Sequence, residues 1–557
     1  MAILTTLQDL IPGNLLSKIT ILLSIPIFLI LTIYFIIVPN SLKDSRRRKL
    51  PPGPKGLPFV GNLLEFANTE TQRDKVIAWH KQFGDIFYTK LGGTDYIWLS
   101  SPTAVKDLMD KRSSIYSSRA PSPLAQDVAS AGRRQLFMPY GPRWRSIRKH
   151  SHALLNLTAS VKYQPVQDFE SKVLLKELLE SPEEFLSINR RYSASVIMLV
   201  TYGYRIPSWD DPLIQRIYSV LARFTEMTYY KSHRPFLTQD PRAPGAFAIE
   251  SFPSLTWLPQ RLLGNWRRYG EEIFTKDSAV YLDLWNKLKR ETDAGTARDC
   301  FTKTFYLNDP AKSGIDDLAA AYTCGGLIEA GSETTGTTLN NFMLCMVLFP
   351  EAQRQAQEEL DRVVGSERLP RWEDEENLPY VRGLIKEVLR WRPVNKMGMQ
   401  HATSDDDWYE GYFIPKGAVV VLNWWAIHYD EKNWEDPKAF KPERYMGHSA
   451  SAAHYMNTAD ARERDHFSYG AGRRACPGVH VAERSLFINV SRVLWGFNIR
   501  KKVGKDGKEV EVTDKMMPGF FSVPEPFECD VRPRSAKHKE IMMKEGKEAE
   551  NNWEDML

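Results

Sequence analysis

Along this chain a single long apolar run is followed by amphipathic periodicity that is mostly helical. Ile19 to Val38 (ITILLSIPIFLILTIYFIIV) carries no charged side chain and is about the length required to cross a bilayer. Lys43, Arg46, Arg47, Arg48 and Lys49 follow at once, so the positive-inside rule predicts one membrane anchor at 19–38. A short lumenal N-terminus (1–18) would precede it, and the remainder would lie in the cytosol. Residues 39–60 read as a basic, proline-rich hinge, because the prolines of Leu50 to Pro58 fix φ and remove backbone donors. From about residue 60 the 3.6-residue period dominates, with strand-like alternation at Ile86 to Leu91, Tyr96 to Leu99 and Ala418 to Leu422. The pattern predicts a mainly α chain with small β-sheets. One long helix is expected over about Ile315 to Leu348, and a solvated helix or disordered tail over the Lys- and Glu-rich residues 532–557.

Composition narrows the picture without naming a function. The 557 residues are 43% hydrophobic and 11% aromatic, enough for a large core. A net charge of +5 is spread along the chain, and no basic block argues for nucleic acid. Five cysteines (Cys300, Cys324, Cys345, Cys476, Cys529) include no C-x-x-C pair, which argues against a zinc site or a disulfide framework and for a reducing compartment. The chemistry-bearing motifs are scattered from Trp144 to Cys476 with no linker between them, so residues 61–531 read as one large domain.

The most specific of these motifs is Tyr469-Gly470-Ala471-Gly472-Arg473-Arg474-Ala475-Cys476-Pro477-Gly478. It sets one cysteine in a glycine-rich loop just ahead of a helical apolar pattern, where helix N–H groups favour a thiolate and the glycines let a flat ligand approach. Iron of a haem held by cysteine thiolate fits this arrangement. Trp144 and Arg148 stand four apart on one helical turn and can both donate to a carboxylate such as a haem propionate, as can His401 and Arg474. Ala330-Gly331-Ser332-Glu333-Thr334-Thr335 lies inside the long helix. A helix loosened at Gly331 would open a groove for dioxygen, and the Glu333 carboxyl beside the Thr334 hydroxyl would relay protons. Glu387 and Arg390 pair at i and i+3, with Arg444 of Pro442-Glu443-Arg444-Tyr445 as a third member of a candidate network.

Taken together and in this order, these motifs resemble the cytochrome P450 superfamily, from the proline-rich hinge to about residue 530. The resemblance implies the P450 fold, a single large haem domain behind one transmembrane helix, with haem b (iron protoporphyrin IX) bound through Cys476 as the metal ligand. It implies Arg474, Trp144, Arg148 and His401 as partners of the propionates, and Glu333 with Thr334 as the catalytic pair supplying protons to dioxygen. Glu387, Arg390 and Arg444 would be structural. Tyr469 departs from the family's pattern, which has Phe seven residues before the cysteine; its hydroxyl would adjust the redox potential or face water. The implied reaction is monooxygenation of a mid-sized apolar or aromatic substrate by O2, with NADPH-derived electrons. Those electrons would come from a separate NADPH-cytochrome reductase, cytochrome b5 being an optional second donor, docked near Arg143, Arg145, Lys149 and Arg473. By the same resemblance the substrate contacts fall in 119–137, 214–230, 322–329, 394–399 and 517–521. The implied location is the endoplasmic reticulum membrane, single-pass, in contact with lipid. Several stretches look most like fungal secondary-metabolism members of the O-methylsterigmatocystin oxidoreductase type, acting on polyketides or indole alkaloids. Two alternatives stay open: isomerase, dehydratase or peroxide chemistry on the same haem, and a non-catalytic membrane-tethered haem protein.

Overall fold

A computed structural model describes residues 44–66, 71–233, 248–263, 265–517 and 519–554. The expected anchor at 19–38 lies outside them; among the described residues no helix is long and apolar enough to cross a membrane. Two units separate. The smaller comprises residues up to Pro51 with 405–416. Within it a 3-10 turn, Ser45–Lys49, precedes a hairpin that pairs Asp407–Tyr409 with Tyr412–Ile414. Arg46 bridges Asp44 and Asp406 at 2.9 Å each and stacks 4.5 Å from the Phe413 ring centre.

The larger unit, 52–404 with 417–557, carries the main helices and sheets. Its sheet joins β1 (Ile86–Leu91), β2 (Thr94–Leu99), β3 (His401–Ala402) and β4 (Val419–Leu422) in the order β1-β2-β4-β3. β4 runs parallel to β2 and antiparallel to β3, and its four residues are all buried, as a continuous Val-Val-Val-Leu run demands. β5 (Phe497–Lys501) and β6 (Cys529–Pro533) form a second antiparallel pair. The proline-rich segment does not stand clear of this unit, since the Pro52 carbonyl accepts from the Tyr88 N–H of β1 at 2.8 Å.

The helical body is built on α1 (Pro142–Leu155), α2 (Gln164–Glu180), α3 (Phe185–Tyr202), α4 (Pro212–His233), α5 (Trp266–Asp293), α6 (Asp317–Leu348), α7 (Pro379–Trp391), α8 (Val479–Gly496) and α9 (Ala536–Asn551). α6 starts where the Asp316 carboxylate accepts from the Ala319 N–H (2.7 Å), and it is buried for most of its length against α3 and α5. After 532, where a solvated helix or a disordered tail is expected, a helix forms but one face of it is covered. α9 packs on α2, burying His538, Met542, Gly546 and Ala549, while Lys172 pairs with Glu545 (3.0 Å) and Lys176 with Glu550 (3.1 Å).

Glu387 and Arg390 of α7 are both 0% exposed. Arg390 makes a two-armed bond to the Glu387 carboxylate, 2.7 Å on each arm, and its remaining N–H groups reach the carbonyls of His428 (2.7 Å) and Pro437 (2.9 Å). Arg444 joins at 3.4 Å and the Lys441 N–H at 2.8 Å, so the segment 428–444 is tied to α7 by one carboxylate and one guanidinium. Removing Arg390 leaves the buried Glu387 carboxylate only the longer Arg444 contact and the Lys441 N–H, and removing Glu387 leaves the buried Arg390 without its acid. Arg390→Ala is expected to lower unfolding stability by about 3–5 kcal/mol, as measured by denaturant titration; a loss below about 1 kcal/mol would show that the pair is dispensable.

Candidate functional site

Cys476 stands in a turn whose backbone is fixed from both sides. The Cys476 N–H donates to the Tyr469 carbonyl (2.8 Å), and the Gly472 N–H donates to Asp110 Oδ1 (2.7 Å). Gly472 has φ of +62°, and a Cβ there would lie 2.1 Å from the Met109 carbonyl oxygen, so only glycine fits. Burial pushes the free thiol above its ordinary range, against the Gly478 N–H and the Arg148 guanidinium, which both lower it. A bound cation would reverse that balance, because a coordinated thiol is deprotonated outright.

One cavity of about 320 Å³ takes lining from Cys476, Trp144, Arg148, His401, Arg474, Tyr469 and Thr334 together. Arg474 lies 4.1 Å from the Trp144 ring centre and donates to the carbonyls of Ser117 (2.8 Å) and Met138 (2.6 Å). Arg148 donates to the Ala475 carbonyl. Arg119, which motif reading assigned only to a substrate loop, also lines the cavity and donates to the carbonyls of Leu136 (2.9 Å), Met399 (2.7 Å) and Gln400 (2.8 Å). Among the described residues none of these three guanidiniums has a carboxylate partner. Burial alone takes Arg119 down to about 9, and burial with repulsion from Arg119 and Arg148 takes Arg474 down to about 8. One buried cation (Arg119) and two half-buried ones (Arg148, Arg474) on neutral carbonyls suit an anionic ligand, as the carboxylates of a haem would be. With the thiol on the same wall, the residues present fit that group.

His401 differs from expectation. Its Nδ1 lies 2.7 Å from the Tyr116 carbonyl, which can only accept, so Nδ1 carries the hydrogen. Burial, then Arg119 and Arg474, holds its pKa well below the usual range, leaving Nε2 as an acceptor. In that state it does not donate to a carboxylate; an adjacent anion would favour the second proton it needs.

The Glu333–Thr334 pair is also divided. Thr334 faces the cavity and donates from Oγ1 to the Ala330 carbonyl (2.7 Å). Glu333 does not line it: Arg190 of α3 (2.9 Å) and Thr337 (3.1 Å) hold its carboxylate, and burial raises its pKa. Nor is α6 broken at Gly331. The helix is continuous, and a Cβ at Gly331 would meet Ile197 at 2.4 Å, so the glycine admits α3; Ser193 Oγ donates to its carbonyl at 2.6 Å. Tyr469 does not face water at its tip, because the hydroxyl is buried and has no hydrogen-bond partner among the described residues. All five of the expected contact stretches contribute to the lining, including Leu136, Phe224, Leu327, Val394 and Phe520.

Comparison with known proteins agrees with this arrangement. The family profile described as Cytochrome P450 matches residues 51–530. The chain belongs to the cytochrome P450 family. It is 48% identical over 524 residues to the cytochrome P450 monooxygenase verL of Clonostachys rogersoniana, covering 94% of each chain. It is 40% identical over 498 residues to virE of Hypocrea virens (88% of this chain, 87% of that one), and 33% identical over 515 residues to yanC of Aspergillus niger (91% and 93%). Both carry the name cytochrome P450 monooxygenase. The P450 assignment makes the chain a monooxygenase with haem as cofactor and O2 as oxidant.

The approach to the P450 cysteine loop is built on neutral histidines. Phe467 N–H donates to His428 Nε2 (2.9 Å) and Ser468 N–H to His466 Nδ1 (3.3 Å), so both rings must present a lone pair. Burial drives His466 down to about 4, with Asp465 opposing the shift and Lys386 and Arg464 assisting it. Its folded pKa lies below its unfolded value near 6.5, so the unfolded chain binds the extra proton. The stabilisation is complete above about pH 6.5 and is lost as pH falls toward 4. Relative to wild type, His466→Asn should remove on the order of 3 kcal/mol of that pH dependence; parallel stability–pH curves for the two proteins would contradict it.

Proposed function

We propose that the protein hydroxylates a mid-sized, largely apolar or aromatic small molecule in secondary-metabolite biosynthesis, with electrons from NADPH through a separate reductase. One observation carries this reading: Cys476, the three guanidiniums without acids and an apolar chamber reaching Thr334 share one cavity. Bound haem would supply O2 activation and transfer of one oxygen atom to the substrate, the second oxygen leaving as water.

The chain's own residues then have separable tasks. Cys476 would hold the iron, its thiolate favoured by the Gly478 N–H and by Arg148. Arg119, Arg148 and Arg474 would hold the two propionates, with the Trp144 indole as a further donor. Apolar walls such as Leu327, Val394 and Phe520 exclude water and orient the substrate. Thr334 Oγ1 is the hydroxyl of the original pair that faces the cavity and would hold a proton there. Glu333 of α6, engaged by Arg190 of α3, fits a role in joining the two helices better than direct relay.

Reductase docking is supported by Arg143, Arg145, Lys149 and Arg473, all exposed near the Cys476 turn and α1. Cytochrome b5 would share that surface. The apolar run at 19–38 and the basic cluster after it support a single-pass endoplasmic reticulum anchor in lipid, with residues 61–531 as the cytosolic haem domain.

Two measurements test the reading. Reduced wild-type holoprotein with carbon monoxide should show the long-wavelength Soret band of thiolate ligation, and Cys476→Ala should lose it; a folded wild type without the band would refute haem-thiolate chemistry. Supplied with reductase and NADPH, Thr334→Ala should turn over substrate roughly 10²-fold more slowly, with products heavier by one oxygen detected by mass spectrometry. Unchanged turnover would favour reductase-free isomerase or dehydratase chemistry.

A further inference from the structure

One wall of the cavity carries a buried charge network that the oxidation itself does not require. Arg134 is 2% exposed; its Nη2 donates to Asp277 Oδ2 (3.0 Å) and to Glu329 Oε1 (2.8 Å). Arg223 Nε donates to the second Asp277 oxygen (2.7 Å), and the Tyr281 hydroxyl donates to Glu329. Two guanidiniums therefore face two carboxylates, and the network is neutral. Yet Arg134 Nε and Nη1 have no hydrogen-bond partner although both atoms are buried, and neither does Gln135 Nε2 beside them. Arg134, Gln135 and Glu329 all line the cavity. Leaving such donors unmet is costly, most of all on a charged group, so they call for an acceptor.

The charge balance says which kind. All three unmet groups are donors, which a hydrocarbon leaves unmet. A carboxylate would add a third anion to a network whose cations are already matched. A neutral carbonyl offers two lone pairs, no hydrogen and no charge. Phe224 lies with its ring centre 5.5 Å from the Arg134 guanidinium, and Phe520 meets Phe224 edge-on at 5.6 Å, so a flat apolar body can pack beside the donors.

Building on the monooxygenase reading above, we propose that the substrate is a neutral carbonyl compound (ketone, amide or lactone) whose oxygen is held by Arg134 and Gln135. These two residues then choose which end of the molecule is turned away from the oxidation point.

Holoenzyme is tested by equilibrium dialysis against three tricyclic probes of similar size: xanthone, xanthene and xanthene-9-carboxylate. Xanthone should bind about tenfold more tightly than xanthene, the difference expected of one hydrogen bond to a charged donor. The carboxylate should bind no better than xanthene. Arg134→Lys keeps a cation facing Asp277 and Glu329 but loses the spare arm, and Gln135→Leu lies outside the ion network; each should weaken xanthone binding several-fold and leave xanthene unchanged. Equal affinity for xanthone and xanthene, no binding of xanthone, tightest binding of the carboxylate, or equal losses of both neutral probes in the variants would each overturn the assignment. Dialysis does not depend on the iron. A missing carbon monoxide band in the same preparation would therefore sink the haem-thiolate reading while leaving the carbonyl preference separately decided.

Discussion

Packing of Arg119, Arg148 and Arg474 against carbonyl oxygens, with no carboxylate among the described residues to match them, is the constraint around which the site is arranged. A guanidinium can be taken out of water when its N–H groups are met, but the charge itself then remains uncompensated. The neighbours show the strain of that choice. Arg474 stacks on Trp144, His401 is kept neutral, and Arg474 and Arg119 are held well below the range of an exposed arginine. An anionic group in the cavity relieves every one of these effects at once. The same cations act on the cysteine turn, since Arg148 both ties the Ala475 carbonyl and favours the thiolate at Cys476.

The long helix α6 divides its labour by direction rather than by sequence neighbourhood. Successive helical residues point about 100° apart, so an acid and an alcohol adjacent in sequence need not share a surface. Thr334 reaches the cavity, while Glu333 lies on the flank where α3 packs and is captured by Arg190. α3 approaches α6 closely along this stretch, at Gly331 through Ile197 and at Gly336, where a Cβ would lie 3.1 Å from the Arg190 Cα. The glycine that suggested a loosened helix thus serves packing against α3, on the flank where the neighbouring acid is held. The carboxylate that does line the cavity is Glu329, itself already bound to Arg134 and Tyr281.

Local signals carried much of this fold and part of its site. The three strand-like stretches became β1, β2 and β4 within a residue or two, because short runs rich in β-branched and aromatic residues fit a buried sheet. The cysteine loop was legible because glycine at 472 and the cysteine at 476 answer to backbone geometry within the same turn. What escaped was of two kinds. Arg134 and Glu329 are separated by 195 positions, and Arg190 and Glu333 by 143, so no window along the chain contains either pair. The C-terminal segment, expected as a solvated helix or a disordered tail, has a buried face that escaped for another reason. Its Lys and Glu density suggested full solvation, yet His538, Met542, Gly546 and Ala549 recur at spacings of four, four and three and form the narrow stripe that α2 covers. Composition averaged over that stripe hid it.

The same cavity therefore has two arginine environments that differ in what they can hold, though the side chain is the same. At the Cys476 end the guanidiniums rest on dipoles, so their charge is free to act on an anion. On the Arg134 wall the charge is already cancelled by Asp277 and Glu329, and only hydrogen-bond geometry is left to offer. A charge attracts at a distance and with little regard for angle, whereas a spare N–H discriminates by direction and by the presence of a lone pair. Anchoring a permanently held anionic group suits the first environment, and choosing among neutral molecules suits the second. Pairing an arginine with acids, or with carbonyls alone, gives one residue type two different binding capacities within a single cavity.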